Sequence, residues 1–310
     1  MHSRPDIPKR HYMMFVVAEY LCRLLPRRFC YYIALRMADT FYRSDVRARR
    51  AVRSNIRRVT GHMGQKLNRA AVELLVRRVF QGFAKYLVDF FSFSHMTREE
   101  TERLVEFENR EQVEKVRALN RGALLVTAHY GNWELAGAVL VSLGYSITAV
   151  AQPQEQKKLN NLFMSYRRKR GIHVVPLGLT VVRQLMEALG RGEFVGLLAD
   201  RDYTPRNHPI DFFGAPASLP IGPAWISSHY KVPILPGFLL RKEDDSFVMK
   251  FYPILNEAGD QDEATIQGQL RDVLQDGISR DPSQWFMFED LWNGNPYGGG
   301  YQQERSGRWG

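Results

Sequence analysis

Between residues 122 and 200 four short apolar runs, "GALLVTAH", "SITAVAQ", "IHVVPLG" and "FVGLLAD", are separated by three longer stretches of helical character. Those stretches are "NWELAGAVLVSLG", "EQKKLNNLFMSYRRKRG" and "TVVRQLMEALGRG", the first two closed by Gly144 and Gly171. Short apolar runs bounded by turn residues read as buried strands. Strands joined through helices of this length imply crossover connections and a mainly parallel sheet. "VPILPGFLLR" and the paired "SFVMKFYP" add strands after an intervening helix, and "DEATIQGQLRDVLQDGISRD" reads as a further helix. The expected fold class is α/β, a mainly parallel central sheet flanked by helices.

Upstream, residues 44–120 read as helices, "RSDVRARRAVRSNIRRVTG" and "NRAAVELLVRRVFQGFAKYLVDFFSF", followed by a charged connection to about Asn120. There is no internal repeat. The last residues, "NGNPYGGGYQQERSGRWG", are Gly-rich and expected to be flexible. The reading divides the chain into amino-terminal helices (1–60), an α/β body (61–292) and a tail (293–310).

Charge is uneven. The net charge of +10 resides in the first 60 residues, which carry 14 basic and four acidic side chains; the remainder carries 29 of each. The same front end is apolar, but its longest run, "YMMFVVA", is far below the roughly 20 residues of a spanning helix. Glu19 and Arg23 interrupt it, and no cleavage site of a secretory signal follows. Two short helices broken at Pro26, with aromatics beside arginines, suit the headgroup layer of an anionic membrane; a hairpin packed on the body with a solvated basic face is the alternative. Interleaved large apolar residues disfavour nucleic acid as the partner. Cys22 and Cys30 are too few for a disulfide framework and read as reduced thiols of a cytoplasmic protein.

The chemistry gathers in "LLVTAHYGNWELAG", residues 124–137. Reactive groups in parallel α/β sheets sit at the carboxyl ends of strands. His129 stands at such an end, Gly131 permits a close turn, and Glu134 falls in the first turn of the next helix, whose start favours an anion. A carboxylate bound to one imidazole nitrogen leaves the other as a general base suited to a hydroxyl. Spacing alone fits equally a histidine capping a strand and a glutamate favoured by the helix dipole. No cysteine lies nearby, the chain has no G-x-S-x-G elbow, and the pattern is not H-E-x-x-H, so neither an enzyme nucleophile nor zinc is indicated.

"TAHYGNWELAG" closely resembles the catalytic motif of the bacterial lipid A biosynthesis acyltransferases, within the lysophospholipid acyltransferase superfamily. "LLADRDYTPRNHPIDFFGAPASLPIGPAWIS" is similar to that family's second block, "KVPILPGF" to the V-P-x-x-P block, and the arginine-rich helices leading to "RRAVRSNIRRVTG" to its opening. Phosphatidylinositol mannoside acyltransferases share the layout. The resemblance covers most of residues 15–292. It implies acyl transfer from a thioester, on acyl carrier protein or coenzyme A, to a hydroxyl of a membrane glycolipid such as a lipid A precursor, at the cytoplasmic face of the inner membrane. It implies no cofactor and no metal. It makes His129 the base and Glu134 its orienting partner; Asp200, Arg201 and Asp202 support the site or position substrate. Asn132, Arg167 and Arg170 are further candidates for substrate contacts, although the run Arg167, Arg168, Lys169, Arg170 also suits a helix C-terminus. Phe212, Phe213 and Gly214 shape a substrate groove or pack the core. Pro233 and Pro236 fix the entry into a strand. The histidines at 2, 11, 62, 95, 173, 208 and 229 receive no role, and oligomeric state is unassigned.

Overall fold

The computed structural model describes residues 9–93, 97–119, 121–151, 157–178, 180–202 and 209–293. Most of the Gly-rich tail lies outside them, as does the stretch between Asp202 and Pro209.

Four helices lead: α1 (Lys9–Leu24), α2 (Arg27–Ser44), α3 (Val46–His62) and α4 (Arg69–Ser92). Pro26 separates the first two because it tolerates a helix start but not an interior. Asp45 caps α3 through Ala48 N–H and Asn68 caps α4 through Ala71 N–H, each filling an orphan donor of the first turn. The supposed boundary between residues 60 and 61 falls inside α3, which runs on unbroken to His62. Asn55 of α3 donates to the carbonyls of Met287 and Glu289, binding the leading helices to the far end of the chain. Cys22 and Cys30 are free thiols. No helix among the described residues is long and apolar enough to cross a membrane.

The charged connection before Asn120 is not irregular. It holds α5 (Arg98–Leu104), β1 (Val105–Glu108) and α6 (Glu111–Ala118). Thr97 and Glu100 form a reciprocal capping box at the start of α5. The sequence "VEFE" escapes a pattern search because it is an edge strand, with acids on its open side.

The body then alternates as expected: β2 (Ala123–Thr127), α7 (Trp133–Ser142), β3 (Ile147–Ala151), α8 (Lys157–Lys169), β4 (His173–Pro176), α9 (Val181–Gly190) and β5 (Phe194–Leu198). A small antiparallel hairpin follows, β6 (Pro209–Phe212) and β7 (Ala215–Ser218). After it come α10 (Gly222–Tyr230), β8 (Ile234–Arg241), β9 (Phe247–Phe251), α11 (Glu263–Arg280) and a 3-10 turn, Pro282–Gln284. The main sheet has the order β1-β9-β8-β2-β5-β3-β4, and every neighbouring pair is parallel except β8 with β9. The fold is therefore α/β with a mostly parallel central sheet.

Alternation of side chains splits the core into two layers. Leu124, Val126, Val195 and Phe238 face a layer completed by Ile266 and Leu270 of α11. Ala123, Leu235 and Met249 face Leu135 and Val139 of α7. A third cluster joins Val52 and Ile56 of α3 to Val76 and Phe80 of α4 and to Phe286.

Candidate active site

The register of the two middle strands determines the site. β2 and β5 are parallel with Thr127 opposite Leu198. Two residues further along each strand, His129 and Asp200 emerge side by side. His129 Nδ1 lies 2.8 Å from one carboxylate oxygen of Asp200, and the backbone N–H of His129 donates to the other at 3.0 Å. Trp285 Nε1–H donates to that second oxygen at 2.9 Å. Asp200 is fully buried, whereas the His129 side chain keeps 18% of its exposure. Burial pushes the Asp200 carboxyl up; the His129 charge and the hydrogen bonds from His129 and Trp285 outweigh it and hold the group below the usual carboxylate range. With Nδ1–H given to Asp200, the imidazole carries its lone pair on Nε2.

Glu134 does not make this contact. Glu134, expected to orient His129, is hydrogen-bonded to Arg167, and the carboxylate hydrogen-bonded to His129 is Asp200. Glu134 instead receives Arg167 of α8, whose Nε lies 3.0 and 3.2 Å from its two oxygens, and Arg170 Nη1 lies 3.9 Å away. A buried carboxylate facing a guanidinium fork is better satisfied there than by one imidazole nitrogen. Burial raises the Glu134 group; the Arg167 charge and hydrogen bonds, then Arg170 and His129, bring it below its ordinary value.

The turn between His129 and α7 is constrained by sterics. Gly131 has φ +63°, and a Cβ there would stand 2.1 Å from the Leu239 carbonyl oxygen. Its N–H donates to Gln284 O, and Phe286 N–H donates to His129 O at 2.8 Å. Asn132 is buried and fully engaged: Oδ1 caps α7 through Leu135 N–H at 3.0 Å, and Nδ2 donates to Asp89 of α4 at 2.8 Å. Asp89 also binds Tyr31 and Arg241. Asn132, expected to touch substrate, is placed to hold the helix start beside His129.

The remaining candidates divide. Arg170 is buried, with Nε on Phe93 O at 2.9 Å and its guanidinium 4.6 Å from the Phe90 ring centroid. Arg167 stays partly open next to Glu134. Arg201 Nε contacts Met287 Sδ at 3.3 Å, and Asp202 accepts from Ser218 Oγ at 2.9 Å, tying the end of β5 to the 285–292 segment and to β7. Phe212 and Phe213 are buried, and Phe212 packs against Trp285 and Trp292 at centroid distances of 6.3 and 6.1 Å. They back Trp285, the partner of Asp200, and do not line the groove beside His129. Gly214 has φ +73° at the tip of the β6–β7 hairpin.

That groove runs over the α7 face of the sheet and encloses about 800 Å³ counted out to its mouth. Trp133, Glu134 and Arg167 line it near the dyad; Leu235, Met249 and Phe251 line it deeper in the sheet. Its floor is one row across four strands, Leu235, Leu125, Gly196 and Ala149, paired in register. A Cβ added to Gly196 would come no closer than 3.9 Å to another atom, so the missing side chain deepens the groove. Among the described residues no three His, Cys, Asp or Glu side chains are grouped to hold a metal ion.

Trp285 and Gln284 were not singled out by sequence reasoning. Both lie far along the chain in "DPSQWFMFED", and only the 3-10 turn brings them back to the strand ends.

A histidine held by a buried aspartate stands at the end of the middle strand, next to an apolar groove. Comparison specifies the class. The family model described as bacterial lipid A biosynthesis acyltransferase matches residues 3–293. The chain belongs to this family. It is 32% identical over 178 residues to a phosphatidylinositol mannoside acyltransferase of Mycobacterium tuberculosis (strain CDC 1551 / Oshkosh), with 56% of each chain covered. It is 31% identical over 175 residues to one of Mycolicibacterium smegmatis (strain ATCC 700084 / mc(2)155), covering 56% of this chain and 57% of that one. The chain thus spans little more than half the length of the curated relatives it matches.

Proposed function

We propose that this acyltransferase moves a fatty acyl chain from a thioester, on acyl carrier protein or coenzyme A, to a hydroxyl of a membrane glycolipid. His129 is the general base. The acceptor hydroxyl gives its proton to Nε2 while its oxygen attacks the thioester carbonyl. The tetrahedral intermediate collapses, the C–S bond breaks, and the imidazolium returns the proton to the departing thiolate. Asp200 stabilises the imidazolium and fixes its orientation, the part an aspartate plays in a Ser-His-Asp triad; here the hydroxyl belongs to the substrate. The start of α7 and the Arg167 charge supply positive potential for the developing oxyanion. No resident metal or cofactor takes part.

The observation that carries this reading is the His129–Asp200 pair beside the apolar groove, with the His129 ring edge-on at 5.2 Å to Trp133, which lines it. The groove suits the acyl chain. The acceptor is best read as a phosphatidylinositol mannoside-type lipid, following the relatives; a lipid A precursor is the alternative suggested by the family description. Exposed Met13, Val17, Tyr20 and Leu24 lie at helical spacing along α1, and Phe29, Tyr32, Met37 and Phe41 are exposed on α2. With the neighbouring arginines they fit shallow insertion into an anionic membrane, at its cytoplasmic face.

The test is transfer by the purified chain from an acyl thioester to a glycolipid in mixed micelles, followed by mass spectrometry. A product heavier by one acyl chain is expected; thioester hydrolysis with the glycolipid unchanged would contradict the reading.

A further inference from the structure

A second concavity adjoins Trp292, which packs against Trp285. It encloses about 1130 Å³ of open space between α3, the tip of the β6–β7 hairpin and the 285–292 segment. Arg50, Arg57 and Arg58 line it and are exposed. None of these three is paired with an acid among the described residues, whereas Arg53 on the same helix is held by Glu73. Arg58 lies over the Trp292 ring, 5.8 Å from its centroid. Gly61 opens the space further, since a Cβ there would meet nothing within 4 Å.

The wall facing α3 is unusually shaped. Phe213 adopts φ +53° and Gly214 φ +73°, two successive left-handed residues. That conformation is uncommon for a bulky side chain and persists only where its surroundings enforce it. Gln275 accepts the Phe213 N–H at 2.6 Å, and the Phe213 ring packs edge-on to His62 at 5.6 Å. A Cβ on Gly214 would stand 3.3 Å from His62 Nδ1.

We infer that this concavity binds the phosphodiester and sugars of the glycolipid acceptor's headgroup, an inference that rests on the function proposed above. Guanidinium groups without acid partners match phosphate oxygens in charge and geometry. The space exceeds what a single phosphate fills, and His62 and Asn293 on its rim offer polar atoms to sugar hydroxyls. An acidic carrier protein could also meet these exposed arginines, and it is a separate arm of the test below. The pocket is also close to the chemistry. Trp292, which lines the pocket, packs 6.2 Å from Trp285, whose indole N–H donates to Asp200.

The test measures binding, without turnover. Glycerophosphoinositol mannoside, the lipid headgroup freed of acyl chains, is titrated calorimetrically into the full chain, into the Arg57→Ala/Arg58→Ala double variant and into Gly61→Leu. Parallel titrations use inorganic phosphate and acidic acyl carrier protein. Both variants should bind the headgroup at least about tenfold more weakly than the parent chain, with melting temperatures confirming that they fold. Phosphate should bind the parent far more weakly than the headgroup does. Equal binding of phosphate and headgroup would reduce the site to an anion hole and overturn the inference. So would headgroup affinity unaffected by both variants, or a loss confined to carrier-protein binding. Headgroup binding with this dependence but no acyl transfer would leave the site standing and sink the proposed function; transfer with headgroup binding indifferent to the variants would do the reverse.

Discussion

At the scale of residues, the two carboxylates around His129 do different work, and substitution separates them. Asp200→Asn keeps shape but removes the anion hydrogen-bonded to His129, which in the proposed mechanism stabilises the imidazolium. Its kcat should fall by about 10²–10⁴-fold with little change in melting temperature. Glu134→Gln leaves Arg167 and the buried Arg170 without their counter-charge. That should cost about 3–5 kcal/mol of stability, read from denaturant unfolding, with a smaller loss of kcat in the protein that remains folded. The reverse pattern would restore Glu134 to the role its spacing suggests. The sequence exposed His129 and placed it at a strand end, but it could not show the partner. Glu134 is near in sequence and Asp200 is 71 residues away. What joins His129 to Asp200 is the adjacency of β2 and β5, which no local pattern encodes. A second prediction belongs to the groove floor. Gly196→Leu fills the space over the middle strand and should shift the preferred donor to a shorter acyl chain, measured by competition among thioesters of different length. An unchanged length profile would remove the groove from the acyl path.

Elements were legible to unequal degrees. Strands buried on both faces, such as β2 and β5, announce themselves as apolar runs, and the helices between them end at glycines. β1 and the β6–β7 hairpin do not, because their residues are exposed, charged or Pro-containing and depend on pairing for their structure. Fold class therefore follows from sequence, while the sheet edge and the wall behind Trp285 do not. Asn132 shows the same limit: its place in the motif suggested substrate, and only packing of α7 against α4 reveals it as a cap tied to Asp89. The turn it caps is rigid. Gly131→Ala would drive a methyl into the Leu239 carbonyl from a left-handed backbone. The turn would have to move, and both melting temperature and kcat should fall; a variant that kept both would show the turn to be pliable.

For the whole molecule, charge and apolar surface are concentrated in the leading helices while the His129–Asp200 pair lies at the ends of the middle strands. This division was readable from composition alone, since the first 60 residues hold all the net charge. The structure adds that the exposed apolar residues of α1 and α2 project outward and are not spent on packing. The chain should co-float with vesicles containing phosphatidylglycerol, release as salt rises, and bind neutral phosphatidylcholine vesicles weakly. Replacing Tyr20 and Leu24 with Ser should weaken co-flotation, without affecting transfer to acceptors presented in detergent.

The central claim is that His129 deprotonates a lipid hydroxyl that attacks the thioester directly. The most direct measurement is single-turnover transfer of a labelled acyl chain from thioester to glycolipid by His129→Ala beside the parent chain, with circular dichroism showing both folded. The account predicts that the parent yields the acylated glycolipid and that the variant is slower by at least about 10²-fold. Transfer by His129→Ala at the parent rate would contradict it.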